Sequence, residues 1–158
     1  MQRRWYFFHL VSIRALLLLS LCVVQGCNSS EEDHVTLTSG KDQGWMVINY
    51  WAAWCGPCLR EIPELNLLDE KDSVAVFAVN FDDAPLQSQE MAFSQAKEAG
   101  IRYSVLTGRP DKKYGYEIPR VLPTSVIISP SGKVEKIVMG EQTANSLLTS
   151  IEQIASGK

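Results

Sequence analysis

An apolar octapeptide, WMVINYWA (Trp45 to Ala52), runs almost directly into the tetrad Cys55-Gly56-Pro57-Cys58. The octapeptide is rich in β-formers and nearly continuous in apolar residues, as a strand buried on both faces is. Cys55 to Asp69 then carry Leu59, Ile62, Leu65 and Leu68 at helical spacing, which predicts a helix with those four residues as its apolar stripe. Pro57 suits the first turn of such a helix, where its missing N–H costs nothing. A buried strand that passes within a few residues into a helix, with a thiol at the junction, leaves an α/β layer arrangement as the natural reading.

The rest of the chain extends that pattern. Ser73 to Asn80 (SVAVFAVN) reads as a second buried strand, and Leu86 to Ala99 as a helix stopped by Gly100. Tyr103 to Leu106 is a short strand, and within the weakly patterned stretch Thr107 to Val121, Pro110 to Gly115 could be a helical turn. Ser125 to Ser129 and Lys133 to Met139 are strands joined through Pro130-Ser131-Gly132, a hairpin signal. Leu147, Leu148, Ile151, Ile154 and Ala155 mark a final amphipathic helix. Parallel strands come first and an antiparallel hairpin last, so the fold class is α/β: a mixed central sheet with helices on both faces. Pro63 lies inside the first helix and deletes the bond to the Leu59 carbonyl, which predicts a kink there.

The first residues read as an export signal. Arg3, Arg4 and Arg14 are the only charged residues before Cys27, and ALLLLSLCVV (Ala15 to Val24) is an apolar core of signal length. From Ala15 onward the run is too short to span a bilayer. Extending it back to Trp5 would bury Arg14, at a cost of roughly 2.5–3.5 kcal/mol. Val24-Gln25-Gly26-Cys27 resembles the lipobox of bacterial lipoproteins, which implies that residues 1–26 are removed and Cys27 is lipidated. An ordinary cleaved signal would instead leave Cys27 free, but no small-x-small site supports it. Asn28 to Gly44 (NSSEEDHVTLTSGKDQG), polar and acidic with one possible strand at Val35 to Leu37, reads as a tether of 17 residues. As a flexible coil it would reach roughly 20–25 Å. The domain proper spans residues 45–158.

Composition then excludes partners. The chain has 15 basic and 18 acidic residues; without the three signal arginines, 12 basic face 18 acidic, a net charge of −6. An acidic domain without a basic cluster argues against nucleic acid. Of the four cysteines, Cys22 falls in the signal and Cys27 would carry lipid, leaving Cys55 and Cys58. Zinc needs four N or S ligands, or three in a catalytic site, and the only histidine beyond Cys27 is His34. A disulfide across two intervening residues closes too small a loop to serve mainly as a staple. Thiol–disulfide exchange remains. A cysteine at a helix N-terminus is acidified by unpaired N–H groups and the helix dipole, so Cys55 reads as the nucleophile. Cys58, one turn deeper, reads as the resolving thiol.

WAAWCGPC followed by REIPEL resembles the thioredoxin fold, and more closely its TlpA/ResA-like branch of exported thiol–disulfide oxidoreductases. The likeness runs from about Trp45 to Ala155. It implies a strand carrying Asn49, Tyr50 and Trp51 before the motif, with Asn49 where cytosolic thioredoxins have a buried aspartate. It implies an active-site glutamate at Glu61, which the helix pattern alone would leave as an exposed residue. It implies a cis-proline at Pro123, opposite the cysteines, with Leu122 and Thr124 flanking a site where an extended substrate segment pairs with the backbone. Pro119 is the rival cis position. Trp54, Gly56 and Pro57 complete the implied substrate-binding surface, although a tryptophan at a strand end is as often a packing residue; Trp51 reads as core.

The function that follows is exchange of dithiol and disulfide with other exported proteins in the bacterial periplasm; the resemblance implies the direction of reduction, with apocytochromes during haem attachment as one substrate. The expected partners are disulfide-containing exported proteins, an unidentified membrane thiol donor of electrons, and the membrane itself through lipidated Cys27. A monomer is expected, with no metal and no cofactor beyond a redox-active Cys55–Cys58 disulfide. Three rivals stand beside this reading. An oxidase or isomerase would use the same chemistry at a higher potential. A copper chaperone would want wider cysteine spacing and a distal histidine. A peroxidase would want a Pro-x-x-x-Thr/Ser-x-x-Cys context that neither cysteine has.

Overall fold

The computed structural model describes residues 44–83 and 89–157. The signal segment, Cys27, the tether up to residue 43 with its possible strand, and the first residues of the expected second helix lie outside the described residues. The elements run β1 (Trp45–Trp51), α1 (Gly56–Asp69), β2 (Val74–Asn80), a 3-10 turn (Phe81–Asp83), α2 (Gln89–Glu98), β3 (Ser104–Val105), α3 (Pro110–Tyr114), β4 (Thr124–Ile128), β5 (Val134–Met139) and α4 (Ala144–Ala155).

Among the described residues the strands form one sheet in the order β3-β2-β1-β4-β5. β1 pairs in parallel with β2 and β2 with β3, whereas β4 runs antiparallel to both β1 and β5. The central strands explain their own sequences. Every residue of β2 and of β4 is buried, as are Val47 to Trp51 of β1. Strand alternation divides them: Val47, Trp51, Val74, Val76 and Ile127 meet Ile62, Leu65 and Leu68 of α1 and Leu147 and Ile151 of α4. Ile48, Tyr50, Phe77, Val126 and Ile128 meet the opposite cover, built from Leu106, Tyr114, Tyr116 and Ile118 around α3. Ala96 of α2 joins the first of these layers.

One local reading changes. The buried face of α1 is Cys58, Glu61, Ile62, Leu65, Asn66 and Leu68, so the apolar stripe does not include Leu59. Leu59 is 39% exposed and lines a shallow groove with Pro63, Leu67, Ala99 and Gly100. A leucine at helical spacing is insufficient when a neighbouring polar position has partners that draw it inward, as Glu61 does. The helix continues as one element through Pro63. α4 has the local signals the sequence lacked at a glance: Thr143 caps it, its hydroxyl accepting from Ser146 N while Ser146 Oγ accepts from Thr143 N. No described helix is long and apolar enough to cross a membrane.

Candidate active site

β1 delivers Trp51 and Ala52 to the C-terminal end of the sheet, and the chain turns into α1 at once. Cys55 is the N-cap residue: its backbone is extended (φ −87°, ψ 96°), and its Sγ accepts a hydrogen bond from Cys58 N at 3.3 Å. Cys55 and Cys58 are joined by a disulfide, with their Cα atoms 5.2 Å apart. Cys55 keeps 5% exposure and Cys58 none, so the first residue of the pair is the one nearer solvent. Pro57 sits in the opening turn of the helix. Gly56 has an ordinary backbone, and a Cβ there would meet only the far end of Arg60, at 3.8 Å. Trp54 stands 67% exposed beside the pair, its indole N–H donating to Asp82 Oδ2 at 2.8 Å.

Glu61 lies one turn beyond Cys58 on the same buried face and is 1% exposed. Both carboxyl oxygens are engaged. Oε1 accepts from Asn49 Nδ2 at 2.7 Å, and Oε2 accepts from the backbone N–H of Gln142 at 2.8 Å. Burial pushes the Glu61 carboxyl up to about 7, against the pull of those two donors, and the charge of Glu141 adds to the rise. A carboxyl poised there can take or give a proton near neutral pH. Asn49 also accepts from the Tyr103 hydroxyl at 3.4 Å and donates to Ser125 Oγ at 3.5 Å. Burial likewise holds the Tyr103 phenol well above the usual tyrosine range, so it stays protonated as a donor.

Leu122–Pro123 is a cis peptide, the only one among the described residues, and Pro119 is therefore trans. Thr124, the first residue of β4, pairs with Tyr50 near the end of β1. The antiparallel register thus carries Leu122 and Pro123 toward the sheet end from which Cys55 emerges. Thr124 Oγ1 donates to Val121 O at 2.7 Å, and Pro123 O accepts from Gly140 N at 2.8 Å, which ties the loop at both ends. Tyr103, Ser125 and Gln142 are the neighbours that the sequence did not bring to the site, and Asn49 entered it only through the resemblance. The available signal was Asn49 itself: a carboxamide in step with Val47 and Trp51 on the inward face of a buried strand.

The AhpC/TSA family model matches residues 24–137. The chain belongs to the AhpC/TSA family. Among curated relatives, the thiol–disulfide oxidoreductase ResA of Geobacillus thermodenitrificans is 31% identical over 121 residues, covering 75% of this chain and 67% of that protein. Within the family the chain is therefore a ResA-like thiol–disulfide oxidoreductase. The structure of StoA from Bacillus subtilis superposes with a TM-score of 0.52 at 25% identity, covering 66% of this chain and 80% of that one. A DsbF homologue from Corynebacterium diphtheriae gives a TM-score of 0.56 at 25% identity, with 70% and 72% covered. The architecture is the thioredoxin-like one that the Trp45–Ala155 resemblance implied.

Proposed function

We propose that this family member reduces disulfides of exported proteins, with Cys55 as nucleophile, Cys58 as resolving thiol and Glu61 as the proton acceptor for Cys58. The observation that carries it is the placement of Cys55: a nearly closed-in sulfur at the N-cap of α1, disulfide-linked to a fully buried second sulfur one turn on. In the reduced protein, free N–H groups and the helix dipole at that end favour a Cys55 thiolate. The thiolate attacks one sulfur of a partner disulfide; that S–S bond breaks, and the partner's other sulfur leaves as a thiolate. Cys58 then loses its proton to Glu61 and attacks Cys55 Sγ, expelling the partner's second sulfur. Two electrons pass to the partner, whose sulfurs take up two protons, and the Cys55–Cys58 disulfide closes. No cofactor or metal takes part, but a thiol donor must reopen the disulfide, and we assign that role to a membrane protein.

The substrate segment lies between Trp54, Gly56 and Pro57 on one side and Leu122, Pro123 and Thr124 on the other, pairing with the backbone beside Pro123. Nothing inside the fold requires glycine at 56, which supports an outward reason for it: a close approach by the incoming sulfur. The Val24-Gln25-Gly26-Cys27 motif supports lipidation of Cys27 and a periplasmic, membrane-anchored protein, a setting that suits apocytochromes awaiting haem as substrates. Cys58→Ala tests the scheme. The variant, expressed in the native host, retains partners as mixed disulfides on Cys55 that mass spectrometry identifies; recovery of no partner, or of partners linked elsewhere, counts against it.

A further inference from the structure

The carboxamide of Asn49 is wholly buried in the middle of β1, on a face otherwise given to Val47 and Trp51. A buried amide lowers stability unless its hydrogen bonds are made, so the partners it finds explain its presence. One end donates to Glu61 Oε1 at 2.7 Å; the other accepts from the Tyr103 hydroxyl at 3.4 Å. With Glu61 ionised, the amide nitrogen faces Oε1, because an amide oxygen there would place acceptor against acceptor. Gln142 N–H occupies the other carboxyl oxygen at 2.8 Å. Glu61 is thus held between two donors that cannot themselves accept a proton, one from the sheet and one from the loop ahead of α4.

We infer that Asn49 is a positioning residue of the exchange reaction: it aims the Glu61 carboxyl from the sheet side and, being unable to ionise, leaves the exchangeable proton on Glu61 alone. The inference rests on the reading of Glu61 as the acceptor for the Cys58 proton. The titratable groups around Glu61 are few among the described residues. Tyr103 faces it through Asn49, and Asp69 acts on Tyr103. Glu141 acts from the β5–α4 loop while itself paired with Arg60. Cys55 and Cys58 lie on its own helix end, and Glu64 is turned to Ala144 N. β1 and β4 contribute Asn49 and Ser125, neither of which titrates in this range.

Two measurements test it. Carbon-13 NMR follows the Glu61 carboxyl in the oxidised protein, and stopped-flow follows the reaction of the reduced protein with oxidised glutathione against pH. Removing the amide donor with Asn49→Leu shifts the Glu61 titration upward by about one pH unit, and the pH–rate midpoint follows. Asn49→Asp, of nearly the same shape, places a second carboxyl at the donor's position; the pair then titrates in two separated steps. In a Glu61→Gln background, Asn49→Leu moves no pH midpoint. The inference is overturned if folded Asn49→Leu and Asn49→Asp both leave the Glu61 titration at its wild-type midpoint. Should the leucine variant not fold, the aspartate variant decides alone. If Glu61→Gln leaves the pH–rate profile unchanged, the proton-acceptor reading of Glu61 fails, and the NMR titration still decides whether Asn49 positions the carboxyl.

Discussion

A carboxyl buried beside a redox pair makes stability depend on pH in a direction opposite to that of most acidic residues. Glu61 is raised from 4.5 to about 7, chiefly by burial. A group whose folded pKa exceeds its unfolded one stabilises the fold fully below the unfolded value, and that contribution is lost as pH rises through the folded value. For Glu61 the window runs from about pH 4.5 to about 7. At 1.36 kcal/mol per unit the loss is on the order of 3 kcal/mol. Urea unfolding of the oxidised protein should therefore show wild type losing that much stability relative to Glu61→Gln across the window, and no further difference above it; parallel curves would mean that burial does not perturb the carboxyl. Gly56→Ala separates fold from function at a neighbouring position. The fold has room for the methyl, so stability stays level or rises by about 0.4–1 kcal/mol. Exchange with a folded protein disulfide slows, and an unchanged rate would remove the case for close approach at this residue. At this scale the sequence disclosed the residues that form local motifs and hid those that meet across the fold. Cys55, Cys58 and Pro123 stand in short recognisable runs. Asn49, Tyr103 and Gln142 come from a strand, a loop and another loop, and only the folded register brings them to Glu61.

The helix that carries the cysteines is fastened along one side to the start of α4. Arg60 pairs with Glu141 at 2.7 Å, Glu61 accepts from Gln142 N at 2.8 Å, and Glu64 accepts from Ala144 N at 3.0 Å. These three ties are unequal. Arg60 and Glu141 are well exposed, and exposed pairs contribute about 0.2–1 kcal/mol. Glu64 is half-buried and places its charge on the first N–H of a helix, where a charge-assisted bond and the dipole act together. Glu64→Ala should cost about 1.5–3 kcal/mol, and Arg60→Ala less than about 1, measured by chemical denaturation; equal costs would show that helix-end placement adds nothing. The elements themselves were legible because their periodicities differ. Continuous apolar runs gave β1 and β2, the Pro-Ser-Gly link gave the β4–β5 hairpin, and Leu147 with Ile151 gave the inward face of α4. The phase of α1 was not legible. Leu59 and Glu61 compete for the inward face, and hydrophobicity alone favours Leu59. Burial of the glutamate depends on donors from β1 and the β5–α4 loop, which a local pattern does not contain.

For the molecule as a whole, the direction of electron flow is a difference between two stabilities. Folding and disulfide formation make a closed cycle, so a fold more stable when oxidised holds its disulfide more tightly than an unfolded chain and is the stronger reductant. Oxidising thiol–disulfide proteins invert this, because their reduced form is the stabilised one. Two opposing terms act here. The four-residue loop between Cys55 and Cys58 restricts the unfolded chain and stabilises the oxidised fold by about 2 kcal/mol. The N-cap position of Cys55 stabilises a thiolate and hence the reduced fold, by roughly 0.3–1 kcal/mol if it acts as an ordinary helix-end charge. The buried surroundings of Cys58 offer a second thiolate no such help. The balance favours the oxidised protein by about 1–2 kcal/mol, which at 30 mV per 1.4 kcal/mol lowers the potential by about 20–40 mV relative to the unfolded dithiol. Guanidinium unfolding of the oxidised and reduced forms at pH 7 reads this directly. The oxidised form should unfold at the higher denaturant concentration, and adding Cys55→Ser in the reduced state should remove only the small thiolate contribution. A reduced form that outlasts the oxidised one would make this chain an oxidant of its partners and reverse the direction proposed above.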